Sequence, residues 1–117
     1  MSARRFIVCG SRGWEDWQAI RSVLQGLEPG EDTVVHGGAH GADQMAGEIA
    51  RELGLEVEVH IPNWEANGKA AGFMRNEHMA RLGADAVLAF WDGESRGTKH
   101  MMDTAEKYGI KVAVIRS

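Results

Sequence analysis

The sequence predicts an α/β protein, a three-layer sandwich in which a five-stranded parallel sheet carries helices on both faces. Two observations lead there. Five short apolar runs, near 5–9, 32–36, 56–61, 84–90 and 111–115, alternate with four segments whose apolar residues recur at helical spacing. Strand–helix alternation of this kind builds parallel sheets with right-handed crossovers. The distinctive loops, 10–14, 36–43, 61–72 and 91–98, also each follow a strand. In a parallel sheet they share one edge, beyond the carboxyl ends of the strands, where such sheets bind ligands at the reversal of strand order.

The elements follow in order. Arg5-Phe6-Ile7-Val8-Cys9 reads as a strand and Gly10-Ser11-Arg12-Gly13 as its turn. Glu15 to Leu27 sets Ile20, Val23, Leu24 and Leu27 on one helical face, and Pro29-Gly30 ends it. Trp14 and Trp17 are expected to pack that helix against the sheet. A strand near 32–36 leads into a helix near 41–53, with Gly54 as its stop signal. Glu56-Val57-Glu58-Val59-His60-Ile61 alternates polar and apolar, the pattern of a half-exposed edge strand, and Pro62 closes it. Asn63 to Gly72 is the longest connection, and a helix follows near 73–82. Ala84 to Phe90 is the most continuously apolar run and is expected in the sheet interior. A turn over 91–97, a helix near 98–108 and a last strand near 111–115 complete the set.

Composition bounds the function. The 117 residues, 44% hydrophobic and 26% charged, suit one domain over 1–117 with a single packed core. No apolar run approaches membrane-spanning length, and Met-Ser-Ala-Arg-Arg leads straight into a strand, so a cytoplasmic protein without a membrane partner is expected. Cys9 is the single cysteine, which excludes an internal disulfide or a cysteine-based zinc cluster, and its position predicts burial. The five histidines are scattered, and His36 and His40 straddle a glycine turn, so no metal site is expected. A net charge of −4 argues against broad nucleic-acid binding.

The most informative stretch is His36-Gly37-Gly38-Ala39-His40-Gly41-Ala42-Asp43, a strand end, a glycine turn and a helix start. Gly37, Gly38 and Gly41 let the backbone turn sharply and a ligand approach closely, and the open amides of a helix start attract anions. A phosphate is the natural guest; the alternative is a tight connection whose glycines serve packing, with Asp43 as an early-helix acid. Beside it, the turn Gly10-Ser11-Arg12 offers a hydroxyl and a guanidinium suited to phosphate, or simply a turn serine and a solvated arginine. Lys69, Arg75 and Asn76 cluster near a helix start, where cations oppose the dipole unless an anion is bound. Ser95-Arg96-Gly97-Thr98 opens the last helix, with Thr98 as N-cap or phosphate ligand. Trp64 and Trp91 follow strands, where an aromatic face can stack on a base or pack against the protein.

Taken together, Gly10-Ser11-Arg12, Gly37-Gly38-Ala39-x-Gly41-Ala42-Asp43, Pro62-x-Trp64, Gly68-Lys69-x-Ala71-Gly72, Arg75-Asn76-x-x-Met79 and Arg96-Gly97-Thr98 resemble the YspA/cpYpsA-related branch of the SLOG superfamily over about residues 5–115. The resemblance implies a Rossmann-like fold and a nucleotide or nucleotide-derived ligand, an NAD or ADP-ribose relative or a nucleoside phosphate. It implies a sensor or binding module that needs no cofactor and forms a homo-oligomer. The ligand residues it implies are those of the four loops, with phosphate on the 37–43 amides and the 95–98 helix start.

Two related families supply the alternatives. The LOG-type phosphoribohydrolases cleave the N-glycosidic bond of a nucleotide. Gly97-Thr98 resembles the end of their second glycine loop and Arg75 their arginine, but Lys99-His100-Met101 follows where they carry a glutamate. If the chain is an enzyme, N-glycosidic hydrolysis is the reaction implied, with Asp43, Arg75 and Glu94 as candidate catalytic residues and Asp92 as another acid nearby. The DprA/Smf mediators share the Gly-Ser-Arg type of turn and the Arg-Asn pair and bind single-stranded DNA. The acidic balance ranks that function last.

Overall fold

A computed structural model describes residues 3–116. The elements are β1 (Arg5–Gly10), α1 (Trp17–Leu24), β2 (Thr33–His36), α2 (Ala42–Glu52), β3 (Glu56–Val59), α3 (Trp64–Asn67), a 3-10 turn (Gly68–Ala70), α4 (Ala71–Leu82), β4 (Ala86–Trp91), α5 (Arg96–Lys107) and β5 (Lys111–Arg116). All five strands are parallel, in the order β3-β2-β1-β4-β5. The fold is the expected Rossmann-like α/β sandwich. β1 is the middle strand, with Ile7 in register with Val35 on one side and Val87 on the other. Strand order reverses between β1 and β4, so the crevice for a ligand opens where the loops after these two strands part.

Alternation along the strands divides the core into two layers. Phe6 and Val8 of β1 join Leu88 and Phe90 of β4 under α1 and α2, while Ile7, Cys9, Val87 and Ala89 join Met79, Met101 and Ala105 of α4 and α5. Strands covered on both faces must be apolar throughout, which is why β1 and β4 read as continuous runs. Ile7 and Phe90 are fully buried, and burial of such a side chain contributes about 1.5–3 kcal/mol. β3, with Glu56 and Glu58 alternating with Val57 and Val59, lies at the sheet edge as its alternation predicts.

Four details differ from the expected elements. Asp16 caps α1 by accepting from the Ala19 amide at 3.0 Å, so the helix starts at Trp17 rather than at Glu15. Trp14 packs edge-on to Phe90 at 5.6 Å, but Trp17 is 44% exposed, because the cap turns the first residue of α1 outward from the sheet. The 63–72 connection is folded: Asn63 caps α3 through the Ala66 amide, and a 3-10 turn joins it to α4. Ser95 rather than Thr98 is the N-cap of α5.

Candidate functional site

A cavity of about 740 Å³ opens at the carboxyl edge of the sheet and takes residues from the loops after β1, β2, β3 and β4. Of the residues singled out from the sequence, Gly10, Arg12, Gly37, Gly38, Ala39, Asp43, Trp64, Lys69, Arg75, Asn76, Ser95, Arg96, Gly97 and Thr98 line it. Ser11, Gly41, Trp91 and Glu94 are not among its lining residues.

The glycine turn after β2 is held from within. Asp43 Oδ2 accepts from the amides of Gly37 at 2.9 Å and Ala39 at 3.3 Å, and His36 Nδ1 accepts from the Gly38 amide at 3.0 Å. Three successive amides expected to cradle a phosphate are therefore occupied by the side chains that flank the turn, His36 at the end of β2 and Asp43 in the first turn of α2, which corrects that expectation for residues 37–39. Burial drives the Asp43 carboxyl up to about 6, against the pull of both amides and of the Arg75 charge. Burial drives His36 down to about 4, beside the charges of Arg51 and Arg75. The imidazole is therefore neutral at pH 7, and its acceptor at Nδ1 places the proton on Nε2, which has no partner among the described residues.

The glycines here answer to their protein neighbours. A Cβ on Gly37 would overlap the Arg75 guanidinium. Gly41, at φ +82°, packs so closely on the 11–12 turn that a Cβ would stand 2.5 Å from the Ser11 carbonyl oxygen. Gly41 thus joins two loops behind the cavity instead of lining it.

Arg75 and Asn76, at the centre of α4, bridge the two halves of the site. Arg75 Nη1 donates to the carbonyls of Gly37 at 2.5 Å and His60 at 3.3 Å, and its Nε donates to Asn76 Oδ1 at 3.0 Å. Asn76 Nδ2 in turn donates to the Gly97 carbonyl at 3.3 Å and to His100 Nδ1 at 3.2 Å. The glycine turn after β2 is thereby tied to the first turn of α5 through two adjacent side chains. Burial lowers the Arg75 pKa, while the Asp43 charge opposes that shift.

The loop after β4 is self-capped as well. Asp92 Oδ1 accepts from the amides of Glu94 at 2.8 Å and Ser95 at 2.9 Å, which hold its carboxyl below the usual range. The Asp92 amide donates to Ser11 Oγ at 3.0 Å, so Ser11 is a buried latch between the loops after β1 and β4. Ser95 Oγ accepts from the Thr98 amide. No described residue bonds to the amides of Arg96 or Gly97, which form the open first turn of the twelve-residue α5.

Arg12, Lys69 and Arg96 line the same cavity, none within ion-pair distance of a carboxylate among the described residues. Trp64 lines the cavity with half its surface open. Trp91 resolves the other way: its indole N–H donates to the Ser95 carbonyl at 3.1 Å, Arg116 lies 5.4 Å above its ring, and it packs on the α4/α5 core. Glu94 is exposed outside the cavity. The sequence reading missed Ile61 and Phe73, two large, exposed apolar side chains in the lining. No motif marks either residue, and on α4 Phe73 falls at the margin of the face that buries Asn76, Met79 and Ala80.

Fold and cavity define the class: a parallel α/β protein with a ligand-sized cavity at its switch point. Residues 4–66 match the family described as YAcAr, the YspA, cpYpsA-related SLOG family. The chain is 46% identical over 118 residues to the Gene 61 protein of Mycobacterium phage D29, across 93% of this chain and 94% of that protein. The chain belongs to the YspA, cpYpsA-related SLOG family. Among solved structures it resembles DNA processing protein A (DprA) of Streptococcus pneumoniae, with a TM-score of 0.83 and 22% identity over 98% of this chain. The chain spans about half the length of that protein, 51%. The C-terminal domain of a Pyrococcus furiosus hydrogenase is similar at a TM-score of 0.56 and 15% identity, over 97% of this chain and 92% of that one. At these identities both likenesses concern the fold. No helix of the described residues is long and apolar enough to cross a membrane.

Proposed function

We propose that the chain is a single-domain binding module or sensor for a nucleotide or nucleotide-derived ligand, of the NAD/ADP-ribose or nucleoside phosphate kind. One observation carries this reading. Three cations without carboxylate partners among the described residues, Arg12, Lys69 and Arg96, line one cavity together with the open amide turn of Arg96 and Gly97 and with Trp64. Cations that share a cavity with an open helix start suit a phosphate, and an aromatic wall suits a base. The volume falls within the span of small-molecule sites. The phosphate then rests on the first turn of α5 rather than on the 37–39 amides. No cofactor enters this reading, and a cytoplasmic homo-oligomer is part of it.

The test is calorimetric titration with AMP and ADP-ribose. Arg96→Ala removes one charge-assisted hydrogen bond, worth about 1.5–3 kcal/mol, so affinity should fall roughly 10- to 150-fold. The melting temperature of the unliganded protein should stay unchanged, because Arg96 is exposed. Undiminished binding by Arg96→Ala would place the anion elsewhere.

A second reading, N-glycosidic hydrolysis, is favoured by one feature: Asp43, with its raised pKa, lines the cavity close enough to Arg75 to feel its charge. Against it, Asp43 Oδ2 is engaged by two loop amides and Glu94 lies outside the cavity. Single-stranded DNA binding ranks third, on the net charge of −4.

A further inference from the structure

The cavity has an aromatic end as well as a cationic one, and the residue that shapes it is Phe73. Phe73 is 48% exposed although α4 buries Ala71, Asn76, Met79 and Ala80 on its inward side. One face of its ring is covered: the His100 imidazole of α5 stacks on it with centroids 4.2 Å apart and planes 20° apart. His100 is itself held through Nδ1 by the Asn76 amide. Trp64 reaches the same end of the cavity, its Cη2 lying 3.5 Å from where a Cβ on Gly72 would stand. Core packing does not account for a phenyl ring left half in solvent. A ring backed on one side and open on the other, in the lining of a cavity, offers a surface on which a flat heteroaromatic group can stack.

The spacing along the helices supports the same role. Phe73 and Asn76 lie three residues apart on α4 and meet His100 and Gly97, which lie three residues apart on α5. Three residues are about 4.5 Å of helix rise, which separates the backing of the ring from the open amide turn. A single ribose bridges such a step between a base and its phosphate.

We propose that Phe73, its ring backed by the His100 imidazole, is the stacking platform for the base of the bound ligand. This rests on the nucleotide reading and deepens it, because the base is assigned to the Phe73 end and not to Trp91, whose ring is engaged in packing.

Titration of the wild type, Phe73→Leu and Phe73→Tyr with AMP and with ribose 5-phosphate tests it. Phe73→Leu keeps an apolar side chain but loses the flat face, so AMP affinity should fall about 5- to 150-fold. Ribose 5-phosphate, which has no base, should bind all three proteins alike, and Phe73→Tyr should restore AMP binding. Melting curves verify that each variant folds. Unchanged AMP binding by Phe73→Leu, or an equal loss for both ligands, overturns the platform and leaves the nucleotide reading standing. A wild type that binds AMP no better than ribose 5-phosphate also overturns it. A wild type that binds neither overturns both.

Discussion

The Arg75 guanidinium fills the space that a Cβ on Gly37 would occupy, and its Nη1 donates to the Gly37 carbonyl. The glycine and the arginine thus define each other across 38 residues of sequence. Through Asn76 the same contact reaches the first turn of α5.

Gly37→Ala should therefore act by expelling Arg75. A side chain forced off two carbonyls leaves buried acceptors unpaired, at a cost of about 1–3 kcal/mol. Arg75→Ala should cost a similar amount, and the double variant should lose much less than the sum, because both changes break one set of bonds. Urea unfolding of the four proteins measures the coupling; strictly additive losses would refute it.

Asp43 and His36 should set opposing pH dependences. The Asp43 carboxyl titrates near 6 in the native protein against 3.8 as its ordinary value. Its folded pKa is raised, so its contribution is fully present below about pH 4 and is lost as pH rises through 6. Two units correspond to about 3 kcal/mol. His36 titrates near 4 against 6.5, so its contribution is present above 6.5 and is lost as pH falls through 4. Removing the carboxyl with Asp43→Asn should make stability rise with pH between 4 and 6 more steeply than in the wild type. Chemical denaturation at several pH values reads the two slopes, and identical slopes would contradict the burial of this carboxyl.

Asn76→Ala should unpair the Gly97 carbonyl and the Arg75 Nε together. The expected loss is about 1–3 kcal/mol, accompanied by faster amide hydrogen exchange in the first turn of α5. A variant as stable as the wild type, with unchanged exchange, would show that Asn76 does not tie these elements.

Prolonged incubation with AMP should return the nucleotide intact. Chromatographic release of free base, abolished by Asp43→Asn or Glu94→Gln, would establish the hydrolase instead.

Fluorescence anisotropy with a labelled single-stranded oligonucleotide should detect only weak binding that disappears with added salt, given the net charge of −4. Tight, salt-resistant binding would favour a role in handling DNA.

The sequence alone determined the sheet and the edge at which the cavity lies. The continuous apolar runs of β1 and β4, the Glu56–Val57–Glu58 alternation of β3 and the glycine-rich loops after the strands are signals within a few residues of chain. Periodicity reports directly which face of an element is buried, and the strand–helix alternation then places every loop.

Tertiary structure decided which groups at that edge remain open. Ser11 and Trp91 stand beside residues of the cavity lining and read alike in the sequence. Yet Ser11 is turned inward to the Asp92 amide, 81 residues away, and Trp91 is engaged by Ser95 and Arg116. The amides of 37–39 look available until Asp43 and His36 are seen to fill them. Phe73 carries no motif of its own, and only the packing of α4 on α5 gives its ring a backed face and an open one. Local pattern specifies backbone and burial, whereas the hydrogen bonds left unmade, and the ring faces left uncovered, depend on contacts between elements distant in the chain.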